Sequence, residues 1–171
     1  MQLECHPDTV SYAAHMAAQA GVPVILNPAP APSEPLSASL MHNLYLITPN
    51  RSEATRLSGI EVTDMESAQR AAKAIHEMGP RNVIITLGSQ GSLIYDGHTF
   101  TSIEATKVKA VDTTAAGDTF NGVLASVIAE GRSLVEAAHE ASIAAAISVT
   151  RLGAQPAAPK RAEIEEMKKR K

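Results

Sequence analysis

Residues 111–122, with the sequence VDTTAAGDTFNG, concentrate the residue types and spacing that could do chemistry. An apolar run ends near Val111, small residues follow, and a helix is predicted to begin at Ala116. The N–H groups and the dipole at a helix N-terminus favour an anion, and small side chains let a phosphate reach the backbone. The stretch therefore predicts an anion site, although Asp118 alone is explained by its favourable interaction with the helix dipole.

Two further segments place polar residues or glycines after predicted strands. Asn50 and Glu53 have the spacing of a capping box, in which an N-cap residue and the third helical residue bond each other's backbone. Residues 86–91, TLGSQG, follow an apolar strand, and their glycines allow close approach of a backbone to a ligand. The spacing is neither a Walker A nor a GxGxxG pattern, so on its own it indicates an ordinary tight turn.

Composition argues against several other classes of function. The formal charge of −3, the 3% of aromatic residues and the absence of Trp argue against a nucleic-acid surface. The single cysteine, Cys5, cannot form an intrachain disulfide, and the six His lack the spacing of a zinc site. No long apolar run predicts a membrane span, and no signal-peptide pattern is present, so we expect a cytoplasmic protein.

The elements that must position these residues follow from the apolar pattern. Helical periodicity predicts helices at residues 7–20, 64–78, 116–130 and 133–150. Short apolar runs predict strands at residues 22–26, 44–48, 82–87, 92–95 and 108–111. Early strand–helix alternation indicates parallel βαβ units, and Asp96-Gly97 indicates a later hairpin. We expect one α/β domain over residues 1–171, with the charged segment 160–171 as a solvated terminal helix.

The stretch at 111–122 resembles the signature of the ribokinase-like sugar kinases, the PfkB family. Five other blocks follow the order of that family: MQLE at 1–4, NPAPA at 27–31, ITPNRSEA at 47–54, TLGSQG at 86–91 and VTRLGAQ at 149–155. These blocks span nearly the whole chain and are most similar to the ribokinase branch. The resemblance implies a three-layer α/β/α core whose sheet is mostly parallel with a few antiparallel strands. It also implies an ATP-dependent carbohydrate kinase.

The resemblance assigns catalytic roles within the signature. It implies that Asp118 is the base that accepts the proton of a sugar hydroxyl. The backbone of Ala115, Ala116 and Gly117 would form an anion hole for the transferred phosphoryl group. The implied acceptor is a primary hydroxyl of a pentose, with D-ribose O5 first. Another pentose, a nucleoside or a phosphorylated hexose remain alternatives.

The resemblance also implies positions for ATP and Mg²⁺. Asn50 and Glu53 fall in the Asn-x-x-Glu element of the family, which places them near the phosphates, with Glu53 ordering the Mg²⁺ shell through water. One carboxylate suffices, because Mg²⁺ keeps several waters. The same helix start can also serve as the capping box. The implied nucleotide-binding positions are Asn50, Glu53, Thr86, Gly88, Ser89, Gly91, Gly117 and Ser142, of which Ser142 departs from the residues common in the family.

A monovalent cation, K⁺, is implied beside the anion hole. The matching positions are Asp112, Thr114, Ser148, Arg151, Gly153 and Ala157. Most of them would contribute backbone carbonyls, and Ala157 stands where a side-chain ligand can occur. Arg151 is equally explained as a basic residue that meets the end of a helix. Glu4 matches a carboxylate that contacts sugar hydroxyls, or is an exposed terminal residue.

The family pattern begins before Met1, so we expect the first strands, the small β lid and most sugar contacts to lie outside these 171 residues. Two functions follow. One is a sugar kinase present as a fragment or as half of a split enzyme, with sugar and ATP as ligands. The other is a non-catalytic remnant that binds nucleotide without turnover. An uncovered apolar sheet edge or face predicts self-association or pairing with the missing N-terminal half.

Overall fold

A computed structural model describes residues 1–169, which pack as two compact units. The first unit comprises residues 1–87 and 93–102, and the second comprises residues 88–92 and the chain from Ile103 onward. No helix within the described residues is long and apolar enough to cross a membrane.

One five-stranded mixed sheet organises the first unit. Its strands run in the order β1 (Ile25–Leu26), β2 (Leu46–Ile47), β3 (Asn82–Thr86), β4 (Ser92–Tyr95) and β5 (Phe100–Ile103). The first three strands are parallel. Parallel strands are covered on both faces, which explains why these runs are apolar throughout rather than alternating. Residues 1–3 lie along the outer edge of β1, because the Asn27 N–H donates to Met1 O and the Leu3 N–H to Ala29 O, each at 2.9 Å.

Four helices accompany the sheet in the first unit: α1 (Pro7–Gln19), α2 (Ala38–His42), α3 (Arg51–Ser58) and α4 (Met65–Glu77). The strongest amphipathic pattern belongs to α4, which begins at the N-cap Asp64 and packs on β3 and α3. Its buried face is built from Ala68, Ala71, Ala72 and Ile75. These side chains join Leu26, Ile47, Val83 and Ile85 in a continuous apolar core.

Three helices organise the second unit: α5 (Ala116–Ala129), α6 (Leu134–Ser148) and α7 (Arg161–Lys169). Helix α6 packs on both α5 and α7. Buried alanines along α6 allow its backbone to approach its neighbours closely, and Ile143 and Ile147 pack against Ile164 of α7. The buried carboxylate of Glu140 bonds Arg132 Nη1 at 2.5 Å and Lys168 Nζ at 2.6 Å, which fastens α7 to α6.

The predicted helices and the first four predicted strands are confirmed, the strands at 22–26 and 44–48 in shortened form. The strand predicted at 108–111 is wrong. Val111 is 59% exposed, and the N–H groups of Val111 and Asp112 donate to Val149 O instead of to a neighbouring strand. Helix α2 was not predicted, because five residues after a proline-rich segment carry no helical period. The predicted terminal helix is α7, and residues 170 and 171 lie outside the described residues.

Candidate active site

Asn50 and Glu53 form a closed hydrogen-bonded pair at the start of α3. Asn50 Oδ1 accepts the Glu53 N–H at 3.0 Å, and Asn50 Nδ2 donates to Glu53 Oε1 at 2.8 Å. The Asn50 N–H donates to Glu53 Oε2, also at 2.8 Å. The capping box expected from the spacing is therefore confirmed, and it holds both carboxylate oxygens in place. The Ser52 hydroxyl, which sequence reasoning missed, adds a bond of 2.8 Å to Asn50 Oδ1.

The Glu53 side chain is buried, since the residue is only 6% exposed. Burial raises the pKa of Glu53, while the backbone and side-chain hydrogen bonds from Asn50 lower it in part. Each oxygen accepts one bond from Asn50 and keeps lone-pair capacity for a further donor or a hydrated cation. This donor set fits a Mg²⁺ ion bound through water, which uses few carboxylates.

Asn50 and Thr86 lie side by side where two parallel strands end. They form an isolated parallel bridge, and the Thr86 N–H donates to Pro49 O at 2.9 Å. The edge at the carboxyl ends of parallel strands is where open α/β sheets bind ligands. The first unit thus brings together Asn50, Glu53 and Thr86, whereas Glu4 is exposed in the segment before α1.

In the second unit, α5 begins from a strained residue. Ala115 is its N-cap with φ at 56°, in the left-handed region that glycine adopts most readily. The Thr119 N–H donates to Ala115 O at 2.9 Å, and the Ala116 N–H donates to Thr113 O at 3.2 Å. Asp118 is exposed in the first helical turn. The predicted anion-hole backbone and the carboxylate proposed as base therefore belong to one helical turn.

Asp112 ties two segments of the second unit together. Its Oδ1 accepts the Thr114 N–H and its Oδ2 accepts the Gly153 N–H, each at 2.9 Å. The side chain of Thr114, then the N–H groups of Gly153 and Thr114, lower the pKa of Asp112 to about 2. Val149 O accepts the N–H groups of Val111 and Asp112, at 2.7 and 3.1 Å. The segments around 112–114 and 149–153, which carry most of the predicted cation ligands, are thus adjacent.

The other predicted cation positions offer mainly backbone oxygen. The Ser148 hydroxyl donates to Ala145 O at 2.9 Å, and the Arg151 guanidinium pairs with Glu163. Ala157 is buried and offers only its carbonyl. Carbonyls with one carboxylate suit a hard monovalent cation such as K⁺. Within residues 1–169, no group of three or more His, Cys, Asp or Glu residues could hold a metal ion.

The predicted nucleotide loop folds as a 3₁₀ turn, Gly88–Gln90, in which Gly88 and Ser89 are exposed. Gly91 packs so closely that a Cβ there would lie 1.9 Å from Ile103 O. Ser142 is half-buried in the middle of α6. In the loop, Gly88 and Ser89 are therefore accessible to a ligand, while Gly91 is held against Ile103.

Asn121 is a second residue that sequence reasoning left without a role. Its Nδ2 donates to Gly117 O at 2.9 Å, one turn back along α5. The available signal was the residue type, because asparagine is a poor helix former and stands here in a helix of small and apolar residues.

Nearly the whole chain is similar to known proteins of one family. The profile of the pfkB family carbohydrate kinase matches residues 1–161. The ribokinase of Haemophilus influenzae is 45% identical over 163 residues, which are 95% of this chain and 53% of that protein. The Thermotoga maritima ribokinase structure has a TM-score of 0.87 at 38% identity, covering 98% of this chain and 55% of that one.

A structure of Arabidopsis thaliana ribokinase complexed with ribose and ATP has a TM-score of 0.91 at 31% identity, covering 97% of this chain and 54% of that one. The chain spans about half the length of the curated relatives it matches. The expected α/β fold is confirmed by these structures. With a family profile that matches residues 1–161 and a relative that is 45% identical over 95% of this chain, the chain belongs to the pfkB family of carbohydrate kinases.

Proposed function

We propose that this chain carries the nucleotide and phosphoryl-transfer half of an ATP-dependent sugar kinase. The acceptor is a primary hydroxyl of a pentose, with D-ribose O5 first. On this proposal residues 1–171 form one partial domain. The observation that carries it is the start of α5, where Asp118 stands exposed one turn from the left-handed Ala115 in a chain that matches the family profile.

Asp118 acts as the base, and the turn before it as the anion hole. A carboxylate can accept the proton of the attacking hydroxyl, and phosphoryl transfer depends mainly on positioning and electrostatics. Gly117 is favoured over Ala116 as a backbone donor, since the Ala116 N–H already donates to Thr113 O. The absence of a Gly117 side chain gives a phosphoryl group room to reach that N–H.

Two cations take part in the proposed reaction, one held by each unit. Mg²⁺ would neutralise phosphate charge and K⁺ would add positive potential near the anion hole. Asn50 and Glu53 would hold the hydrated Mg²⁺, supported by the fixed carboxylate oxygens of Glu53. Asp112, Thr114, Ser148, Arg151, Gly153 and Ala157 would hold K⁺, supported by the link between Asp112 and Gly153. Thr86, Gly88, Ser89, Gly91 and Ser142 would contact the nucleotide.

A second function, a non-catalytic nucleotide-binding remnant, is favoured by one observation: the chain covers 53% of its Haemophilus relative. Binding of ATP without sugar-dependent ADP release separates this function from the first.

The test is ADP release by the purified chain with Mg-ATP and K⁺, with and without D-ribose. We expect ribose-dependent release, and we expect Asp118→Asn to lower it by about 10²–10⁴-fold, the usual contribution of a general base. Glu104→Gln, an exposed carboxylate in the same unit, is the matched control and should leave the rate unchanged.

Ribose-dependent release that survives in Asp118→Asn would contradict the assigned base. ATP binding without any release would favour the remnant or a missing partner. Replacing K⁺ by a larger organic cation should lower the rate if the predicted cation site operates.

A further inference from the structure

We propose that Asn121 is a positioning residue for the anion hole, acting through the backbone of Gly117. The inference rests on the proposed function, because it concerns how the start of α5 meets the transferred phosphoryl group. Asn121 Nδ2 donates to Gly117 O at 2.9 Å. Gly117 has no side chain to restrict its backbone, so a bond that holds its carbonyl oxygen also restrains the direction of the Gly117 N–H, the favoured donor of the proposed anion hole.

The identity of residue 121 is not explained by helix stability. Asparagine is a weaker helix former than alanine, and the residues that follow it in α5 are Gly122, Val123 and Leu124. A side chain that bonds the carbonyl four residues back usually competes with regular helix geometry. A residue that costs helix propensity and reaches back to the catalytic turn is better explained by what it does to that turn.

The bond between Asn121 and Gly117 restrains the first turn of α5, which enters from the strained backbone of Ala115. This restraint matters most when negative charge develops on the phosphoryl group, because pre-oriented dipoles stabilise that charge without reorganisation.

The structure contains a matched control for this interaction. Asn43 Nδ2 donates to Ser39 O at 2.9 Å, with the same spacing of four residues, at the end of α2. Asn43 and Asn121 are both half-buried, but α2 carries none of the predicted site residues. Asn43 is the C-cap of α2, so Asn43→Ala removes a bond of the same kind away from the predicted site and shows whether the binding readout responds to the loss of any such bond.

The experiment measures binding of Mg-ADP, and of Mg-ADP with aluminium fluoride, by calorimetry in the presence of K⁺ and D-ribose. The fluoride complex mimics the transferred phosphoryl group, so the ratio of the two Kd values reports the anion hole. We expect Asn121→Ala to reduce the tightening by aluminium fluoride about 3–10-fold, the range for one neutral hydrogen bond. Its Kd for Mg-ADP should equal that of wild type, and its unfolding midpoint should stay at or above that of wild type. Asn43→Ala should retain the full tightening.

Asn121→Ser should recover part of the tightening, because a serine hydroxyl can also bond the carbonyl four residues back. Full tightening in Asn121→Ala would overturn the inference while leaving the anion hole intact. Loss of Mg-ADP binding or of folding in Asn121→Ala, without recovery in the serine variant, would also overturn it in favour of a structural role. If the wild-type chain binds Mg-ADP but shows no tightening, the proposed anion hole itself fails, and the inference fails with it.

Discussion

Ala115 has the only left-handed backbone among the non-glycine residues that the structure describes. This conformation costs an L-residue roughly 1–2 kcal/mol, because Cβ crowds the following carbonyl. The strain falls at the N-cap of α5, where no side chain caps the helix. Strain of this kind persists only when the surrounding structure holds it, and it concentrates at ligand sites.

Replacing Ala115 by glycine should relieve that strain. Glycine loses more backbone entropy on folding, about 0.5–1 kcal/mol, so we expect the free energy of unfolding to rise by at most ~1 kcal/mol. Ala115→Val should lower it by more than ~1 kcal/mol, because a β-branched side chain is still more crowded. Urea unfolding of both variants checks the prediction. A destabilised glycine variant would show that the backbone at 115 is unstrained.

Asn50 caps α3 and also donates a hydrogen bond to the Glu53 carboxylate, and Asn50→Asp separates these two roles. Aspartate caps a helix as well as asparagine does, but it cannot donate to Glu53 Oε1, and it places a second carboxylate beside the first. Burial already raises the pKa of Glu53 in wild type, and the repulsion in Asn50→Asp should raise this pKa further. A raised folded-state pKa contributes stability below the unfolded-state pKa and loses it as pH rises. We therefore expect a larger penalty at pH 7 than at pH 4.

Urea unfolding at both pH values tests this expectation. Asn50→Ala is the control: it loses the cap, at a cost of about 0.5–2 kcal/mol, and the bond to Glu53, but it adds no charge, so its penalty should grow less between pH 4 and pH 7. An equal penalty for Asn50→Asp at pH 4 and pH 7 would show that Glu53 does not sense the new charge. Both variants should weaken Mg-ATP binding if the pair serves the nucleotide.

At the level of elements, the turn between β4 and β5 is held by one carboxylate. Asp96 accepts the N–H groups of Thr99 and His98, at 2.7 and 2.9 Å, and the Thr99 hydroxyl at 3.0 Å. These bonds, led by the Thr99 N–H, lower the pKa of Asp96 to about 2. Since the folded-state pKa is depressed, the stabilisation is present above the unfolded-state pKa of about 4 and disappears as pH falls toward 2.

Asp96→Asn should therefore lower the unfolding temperature at pH 6, and the difference from wild type should shrink between pH 4 and pH 2. Glu104→Gln, an exposed carboxylate outside the turn, should show no such convergence. Thermal unfolding followed by circular dichroism over this range is sufficient. A gap that stays constant with pH would mean that the charge of Asp96 does not stabilise the hairpin.

Helix α7 depends on a buried charge for its attachment to α6. Burial raises the pKa of Glu140, but the hydrogen bonds from Lys168 and Arg132 outweigh it and the pKa is lowered overall. Glu140→Gln leaves two cations facing a neutral amide. We expect a loss of about 1–3 kcal/mol, below the ~3–5 kcal/mol of a fully buried broken pair, because both cations are partly exposed.

Amide hydrogen exchange in α7 measures this loss locally. Protection should fall in α7 and the end of α6, while α4 and β3 keep theirs. Glu165→Gln is the matched control, because Glu165 bonds the same Lys168 at 3.3 Å but lies nearer the surface. Equal exchange in the two variants would show that Glu140 contributes no more than a surface pair.

The elements also show what a sequence can and cannot predict. Periodicity located α1, α4, α5 and α6, because each helix buries one face against its neighbours. The capping box at Asn50 was predictable because its two residues, Asn50 and Glu53, are only three positions apart in the sequence. The strand predicted at 108–111 failed because strand formation needs a partner, and Val111 finds its acceptor in Val149, far along the chain. The bond from Gly153 to Asp112 spans 41 residues and was equally invisible.

For the whole molecule, the structure indicates which surface could carry the expected self-association. Residues 1–3 already lie along β1, so that strand is not a bare edge. On α1, however, Tyr12 and Met16 are 68% and 47% exposed and lie one helical turn apart. Light scattering should detect species larger than a monomer, and Met16→Lys should reduce them. A monodisperse monomer of the wild-type chain would contradict the expectation.

The contact between Gly91 and Ile103 predicts which substitutions selection would tolerate at residue 91. A methyl group at residue 91 would collide with a backbone oxygen, which cannot rotate away as a side chain can. Gly59 also has a positive φ, but nothing lies within 4 Å of its would-be Cβ. In a saturation library selected for folded protein, codon 91 should retain glycine alone, whereas codon 59 should also tolerate asparagine and aspartate. Deep sequencing of that library would reveal which glycines selection keeps for space and which for backbone conformation.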